Sequence, residues 1–273
     1  ISLHKSSLST VSYEFFAETA AAAGAELAKR QGQKLETRTK RDTSLVTEAD
    51  LASEKVIIDR IKRYFQDDLI LSEEAGLSST DRKPGTHIWI IDPLDGTTNF
   101  ANGYPFYCVS IGRGRFRGDG KVEVVAGAVY DAPRQKLYHA TLGEGATVDG
   151  ASLAVCPERP FSQCFLVTGF YYQQGQTLRG EIDRYGRVAA ECQAIRRDGA
   201  AALDLAYVAA GIFDAFWESG LAPWDVAAGA LLVKEAGGKV RNYAGQPPEF
   251  FDIEQPTVIA GSPAAADRIA SLL

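Results

Sequence analysis

The chain has 273 residues, of which 45% are hydrophobic and 23% charged, the composition of an ordinary globular protein. Its formal net charge is −6, which argues against nucleic acid as a main ligand because nucleic-acid-binding proteins usually present a basic face. The sequence contains no run of about 18 apolar residues, which a membrane span would need, so we expect no membrane partner. The first residues lack the apolar core of a signal peptide and the four cysteines show no paired spacing, which predicts a cytoplasmic protein.

Hydrophobic periodicity predicts two successive halves, residues 1–150 and 151–273. In the first half we expect helices at 11–30 and from 47 to about 61, then strands at 69–71, 87–91, 109–111, 122–129 and 136–140, the last three antiparallel. In the second half we expect strands at 165–168, 212–217 and 256–259, and helices at 178–190, 201–209, 224–236 and 264–273. We predict that the halves pack as layers with a cleft between them.

The densest run of candidate ligands follows an apolar strand and reads Asp92-Pro93-Leu94-Asp95-Gly96-Thr97-Thr98. The proline removes an amide donor and the glycine allows an unusual backbone angle, so the chain is expected to turn sharply. Both carboxylates and the intervening leucine carbonyl then project together, and hard oxygen atoms of this kind suit Mg²⁺. The two threonines are expected to open a short helix whose first amides can hold a phosphate.

Further acidic residues occur at Glu73-Glu74, at Asp225 after Pro223, and at Asp50. Each has a structural alternative when taken alone. Paired glutamates are common on surfaces, proline and aspartate both favour the first turn of a helix, and Thr47 with Asp50 has the spacing of a capping box. Together, the acidic stretches favour one shared metal site over unrelated turns.

Other phosphate chemistries lack the residues that they require. The sequence contains no Walker-type loop, and Gly103 stands where a calcium-binding EF-hand starting at Asp92 needs a glutamate. Cysteine-dependent phosphatases place an arginine six residues after the nucleophile, whereas Gly114 follows Cys108 at that distance. The three histidines are scattered along the chain. A carboxylate–magnesium mechanism remains.

The acidic motifs resemble the signatures of the inositol monophosphatase family, and the similarity extends from about Tyr13 to the C-terminus. The resemblance implies a layered α-β-α-β-α sandwich of mixed α+β and α/β type, as in fructose-1,6-bisphosphatase and inositol monophosphatase. It also implies a lithium-sensitive, magnesium-dependent hydrolase that removes phosphate from a small phosphorylated metabolite. Water attacks in line and no phosphoenzyme forms. By the same resemblance we expect a homodimer.

The resemblance assigns two Mg²⁺ ions, and a third, weaker ion that Glu73 helps to hold. One ion is bound by Glu73, Asp92 and the Leu94 carbonyl, and the second by Asp92, Asp95 and Asp225. Asp50 and Thr97 correspond to the pair that orients and activates the attacking water, with Glu73 beside them. The first half thus carries most metal ligands, and the second carries the last ligand and the substrate loop.

Substrate contacts are also implied by the resemblance. The expected substrate-binding residues are Asp95, Gly96, Thr97, Thr98, Gly199, Ala200, Ala201 and Glu218, and Lys40 and Arg196 are further candidates. Relatives often have Thr or Ser where Ala200 stands, so a hydroxyl contact to the substrate is missing here.

Inositol monophosphate is the expected substrate by the resemblance. Glu218 agrees with a polyol, because its carboxylate can accept two hydroxyl hydrogen bonds, but it does not decide the substrate. Histidinol phosphate is an alternative, since its ammonium could pair with Glu218, and fructose 1,6-bisphosphate is another. A member of a different class, a regulatory protein that binds RNA or protein, would be expected to lose metal ligands or to gain a basic patch. The sequence shows neither.

Overall fold

The structure is a computed structural model that describes residues 11–33, 37–39, 45–80, 82–170, 176–247 and 257–273. Its helices are α1 (Tyr13–Arg30), α2 (Glu48–Tyr64), α3 (Thr97–Ala101), α4 (Gln176–Ala189), α5 (Ala201–Ala209), α6 (Pro223–Glu235) and α7 (Pro263–Leu272), with a 3₁₀ turn at Phe161–Gln163. None of the helices in these ranges is long and apolar enough to cross a bilayer.

The strands form a hairpin and two larger sheets. The hairpin pairs β1 (Thr37–Thr39) with β2 (Leu45–Thr47). The larger sheet contains β3 (Leu69–Ser72), β4 (Gly76–Leu77), β5 (His87–Asp95), β6 (Cys108–Phe116), β7 (Val122–Asp131), β8 (Lys136–Thr141), β9 (Gly145–Val148) and β10 (Ala151–Ser152). The smaller sheet contains β11 (Phe165–Thr168), β12 (Ala194–Arg196), β13 (Ala215–Glu218), β14 (Lys239–Arg241) and β15 (Val258–Gly261).

Both sheets are mixed. The larger has the order β10-β9-β8-β7-β6-β5-β3-β4, in which β3 and β5 are parallel and the other pairs are antiparallel. The smaller has the order β12-β11-β13-β15-β14, in which β11 lies parallel to β12 and β13. The carboxyl ends of β3 and β5 therefore meet at one edge, as do those of β11 and β13.

The larger sheet is covered on both faces. Trp89 and Ile91 of β5 belong to the core formed with α1 and α2, whereas Ile88 and Ile90 belong to the core formed with α5 and α6. A strand that is buried on both faces reads as a continuous apolar run, which is why residues 87–91 stand out in the sequence.

The smaller sheet has the same two-sided burial. Its Phe216 joins the core shared with α5 and α6, and on the opposite face Trp217 and Leu166 pack with Val188 of α4 and Ile269 of α7. The layers are therefore α1/α2, larger sheet, α5/α6, smaller sheet and α4/α7. The predicted α-β-α-β-α sandwich is confirmed.

One predicted strand begins later than expected. The apolar residues Ile212 and Phe213 suggested a strand from 212, but β13 starts at Ala215. The Ile212 amide donates to the Tyr207 carbonyl (2.9 Å), which continues the turn that ends α5. The prediction was wrong there because a helix-terminating turn also uses apolar residues. The short strands β1, β2, β4, β9, β10, β12 and β14 were not predicted, since runs of two to four residues carry little periodicity.

Helix α6 packs against the larger sheet across two paired glycines. Gly112 of β6 lies opposite Gly127 of β7. A Cβ atom at Gly127 would lie 2.9 Å from the Ala228 Cα, and one at Gly112 would lie 3.2 Å from the Ala227 Cβ. Only glycine lets the α6 backbone come this close, and that position sets where the first turn of α6 enters the fold.

We expect Gly127→Ala to destabilise the protein by about 1–3 kcal/mol, because the helix backbone must move away from the sheet. In thermal unfolding this corresponds to a Tm lower by several degrees. Gly118→Ala is the matched control, since a Cβ there meets no atom within 4 Å. Equal Tm values for the two variants would contradict the packing argument.

Candidate active site

A cleft of about 210 Å³ opens where strand ends from both sheets meet the first turns of α3, α5 and α6. The larger sheet and α3 contribute Glu73, Asp92, Leu94, Asp95, Gly96, Thr97 and Thr98. The second half of the chain contributes Gly169, Phe170, Arg197, Gly199, Ala201, Glu218, Gly220, Leu221, Ala222, Trp224 and Asp225. The acidic motifs, far apart in sequence, thus share one cleft.

The backbone turns sharply at the densest motif. The ladder between β5 and β6 is regular up to Asp92 and resumes at Asp95, with an irregularity between them. Pro93 has no amide hydrogen to give to the ladder, so the strand breaks register there. Gly96 then takes a φ of 91°, a left-handed value that favours glycine, and α3 begins at Thr97 as expected.

Each aspartate of the acidic group is fixed through one oxygen by a backbone amide. The bonds run from Leu94 to Asp92 Oδ1 (3.0 Å), from Ala202 to Asp95 Oδ2 (2.7 Å) and from Ala222 to Asp225 Oδ2 (2.6 Å). The last bond makes Asp225 the capping residue of α6, so the structural alternative for this residue holds as well. Each carboxylate keeps lone pairs with which it could bind an ion.

The acidic group is electrostatically unfavourable without a cation. Burial raises the pKa of Asp92 well above its ordinary value, and the charges of Glu73, Asp95 and Asp225 raise it further. Burial also raises the pKa of Asp95 to about 6, although the hydrogen bond from Ala202 opposes the change. Carboxylates in this environment gain stability when a proton or a metal ion neutralises them.

The donor set fits a hard divalent cation. Carboxylate oxygens together with the Leu94 carbonyl are the ligands that Mg²⁺, Ca²⁺ and Mn²⁺ prefer. Over the described residues, however, no three acidic, histidine or cysteine side chains are gathered closely enough to hold an ion. The carboxylates line one cleft, but as they stand they do not form a coordination shell.

Asp50 lies behind the cleft wall and contacts Thr97. Thr97 Oγ1 is 3.1 Å from Asp50 Oδ1 and 3.0 Å from the Leu94 carbonyl oxygen. Asp50 Oδ2 accepts hydrogen bonds from the amide and the hydroxyl of Thr47, 2.7 and 2.6 Å away, and completes the capping box of α2. Burial raises the pKa of Asp50, and these hydrogen bonds oppose the rise. Asp50 therefore serves as a helix cap and contacts the cleft residue Thr97.

A second wall of the cleft, formed by the second half of the chain, contains the other predicted substrate residues. Gly199, Ala201 and Glu218 line the cleft, whereas the side chain of Ala200 is buried and lies outside the lining. Burial raises the pKa of Glu218 well above its ordinary value, and the negative charges of Asp225 and Asp95 raise it further.

Two further candidates do not line the cleft. Lys40 falls outside the described residues. Arg196 is exposed, and its guanidinium stands 4.8 Å from the centre of the Phe165 ring, away from the cleft. Its neighbour Arg197 lines the cleft instead, together with Phe170. The sequence offers both arginines as substrate contacts, with solvated side chains as the alternative, and it gives no indication of Phe170. Proximity to Gly199 in sequence was the available signal, but it cannot tell which of two adjacent arginines points inward.

Comparison with known proteins agrees with the arrangement of the site. The profile of the inositol monophosphatase family matches residues 9–273. The chain belongs to that family. The inositol monophosphatase family comprises phosphatases that act on small phosphate substrates and are generally metal-dependent.

Individual relatives differ in name. The Nus factor SuhB of Escherichia coli strain K12 is 44% identical over 212 residues, which cover 77% of this chain and 76% of that protein. The inositol-1-monophosphatase of Synechocystis is 40% identical over 233 residues, 84% and 78% of the two chains. The crystal structure of the extragenic suppressor protein suhB from Bartonella henselae has a TM-score of 0.85 at 35% identity, and covers 95% of this chain and 96% of that one.

The raised pKa of Asp95 predicts that the stability of the metal-free protein depends on pH. A carboxyl whose pKa rises from 3.8 to about 6 on folding holds more protons in the folded state, so its contribution to stability falls as the pH rises between those values. With a chelator present, the free energy of unfolding of the wild type should therefore fall by about 1–3 kcal/mol relative to that of Asp95→Asn as the pH rises from about 4 to 7. Denaturant unfolding at both pH values measures this, and an unchanged difference would contradict it.

Proposed function

We propose that this protein is a magnesium-dependent phosphatase that hydrolyses a small polyol phosphomonoester, with inositol monophosphate as a substrate. The observation that carries the proposal is the meeting of Glu73, Asp92, Asp95 and Asp225 in one cleft that also contains Thr97. The name of the Synechocystis relative, inositol-1-monophosphatase, supports the choice of substrate. Histidinol phosphate and fructose 1,6-bisphosphate are the alternatives.

The metal ligands are proposed as follows. Glu73, Asp92 and the Leu94 carbonyl would hold one Mg²⁺, and Asp92, Asp95 and Asp225 a second, with Glu73 helping to hold a weaker third. Bound Mg²⁺ lowers the pKa of a water molecule and neutralises charge on the phosphate. The amides of Leu94, Ala202 and Ala222 hold the three aspartates in place, so the protein supplies positioning, which phosphoryl transfer chiefly requires.

The Thr97–Asp50 pair provides a path for the proton of the attacking water. Thr97 Oγ1 can accept a hydrogen bond from water in the cleft while its own hydrogen is donated to Asp50 Oδ1. The oxygen of that water is thereby aimed at phosphorus, and its proton passes towards the buried carboxylate. Water attacks in line, the bond between phosphorus and the alcohol oxygen breaks, and the leaving oxygen takes a proton from solvent water to give the free alcohol and inorganic phosphate. No phosphoenzyme forms.

The alcohol part of the substrate would face Glu218, Gly199 and Ala201. An ionised Glu218 can accept hydrogen bonds from two hydroxyl groups of a polyol. The charges of Asp225 and Asp95 favour its protonated form, so neutralisation of the acidic group by metal ions should favour the ionised, hydroxyl-accepting form.

Asp95→Asn should lower phosphate release from inositol 1-phosphate by more than about 100-fold, because a ligand of the second ion loses its charge. Phosphate release is measured for inositol 1-phosphate, histidinol phosphate and fructose 1,6-bisphosphate, each with and without Mg²⁺ and Li⁺. Asp59→Asn, on the exposed side of α2, is the control and should be fully active. Absence of release from every substrate by wild type at any Mg²⁺ concentration would refute the proposal.

Thr97→Val should lower kcat by about 100-fold or more, since the path from water to Asp50 is cut while side-chain volume is kept. Thr97→Ser retains the hydroxyl and should stay within about tenfold of wild type. Steady-state kinetics at saturating Mg²⁺ test both variants. If valine and serine variants have equal kcat, Thr97 has no part in proton transfer.

A regulatory role is the second candidate, because relatives at 44% identity are named Nus factor SuhB. It would involve RNA or protein partners rather than a small substrate. A purely scaffolding role would survive Asp95→Asn, whereas a catalytic role would not. We further propose a cytoplasmic homodimer, as in the family resemblance, and light scattering of the purified protein would measure its mass.

A further inference from the structure

Arg197 brings a positive charge to a cleft that is otherwise acidic. Of the cleft-lining residues that the structure describes, five are acidic and Arg197 is the one basic residue. It comes from the segment between β12 and α5, on the cleft wall that the second half of the chain forms. The phosphate to be hydrolysed is expected at the metal ligands, so Arg197 faces the remainder of the substrate.

Two features of the wall hold the guanidinium in place. Arg197 Cζ stands 6.0 Å from the centre of the Phe170 ring, within the range of a cation–π contact. Its Nη1 would be 3.4 Å from a Cβ at Gly199, so the side chain folds back against a residue that has no side chain. Asn99 anchors this segment, because its Nδ2 donates to the carbonyls of Asp198 and Phe106, both at 2.7 Å.

Glu218 lies on the same wall, and like Arg197 it packs against a glycine. Its carboxyl rests against Gly169, where a Cβ atom would displace it. Arg197 lines the same cleft as Glu218, and its positive charge opposes the rise in the pKa of Glu218 and of the buried Asp204. The wall therefore offers an acceptor of hydroxyl hydrogens beside a donor suited to anions.

The neighbouring Arg196 provides the contrast. Its Nη1 donates to the carbonyl of Ile195 at 3.2 Å, and its guanidinium stacks on Phe165 outside the cleft. Two successive arginines thus point in different directions, and only Arg197 lines the cleft.

We propose that Arg197 determines specificity by binding a second anionic group, a phosphate or a carboxylate, on the alcohol part of the phosphomonoester. A guanidinium presents paired N–H donors that match either anion. The proposal rests on the phosphatase function proposed above and extends it, because it predicts that substrates with a second anion are preferred over neutral polyol phosphates of the same size.

Matched substrates test the proposal. Glycerol 2-phosphate and 2-phosphoglycerate differ by one hydroxymethyl group replaced by a carboxylate, and inositol 1-phosphate and inositol 1,4-bisphosphate differ by one phosphate. For wild type, kcat/KM should be higher for the anionic member of at least one pair. Arg197→Gln should reduce that preference by about 10- to 100-fold, as expected for a hydrogen bond to a charged group, and leave the neutral member within about twofold.

Two control variants make the result specific. Arg197→Lys keeps the charge and should retain part of the preference, and Arg196→Gln should leave it unchanged. The proposal is overturned if wild type shows no preference in either pair, or if Arg197→Gln lowers kcat/KM equally for both members. Wild-type turnover of inositol 1-phosphate reports separately on the phosphatase function, so the two failures can be told apart.

Discussion

The arrangement of the cleft depends on the free-energy cost of placing four carboxylates close together where little water reaches them. Asp92 and Asp95 are buried, and both belong to the same acidic group as Glu73 and Asp225. Such groups resist ionisation unless a cation or a proton compensates them. The cores on both faces of the larger sheet supply the stability that lets the fold carry this local disadvantage.

The surrounding backbone reduces that cost by presenting amides. α5 and α6 begin at the cleft, and the N-terminal end of a helix carries a partial positive charge. Ala202, in the first turn of α5, gives its amide hydrogen to Asp95, and Ala222, just before α6, gives its own to Asp225. The same helix starts that bury the aspartates also orient them, and the glycine contacts under α6 set how deeply it enters.

Much of this arrangement could be predicted from sequence because its signals are local. The apolar run that ends at Asp92, the break at Pro93 and the left-handed glycine at Gly96 all act within a few residues of one another. The layer order was implied by the family resemblance, and the burial of residues 88–91 on both faces agrees with it. The direction of Arg197, the contact of Glu218 with Gly169 and the late start of β13 depend on packing between distant segments, which periodicity does not record.

The structural and functional explanations of Asp50 and Asp225 were alternatives in the sequence, and in the structure they coincide. Each residue is the third of its helix and accepts the amide of the residue before that helix, while it also contacts or lines the cleft. If the first turn of α2 or of α6 frayed, its carboxylate would lose its position in the site while the hydrophobic core stayed intact. Mild heating should thus inactivate the protein reversibly, before the molecule as a whole unfolds.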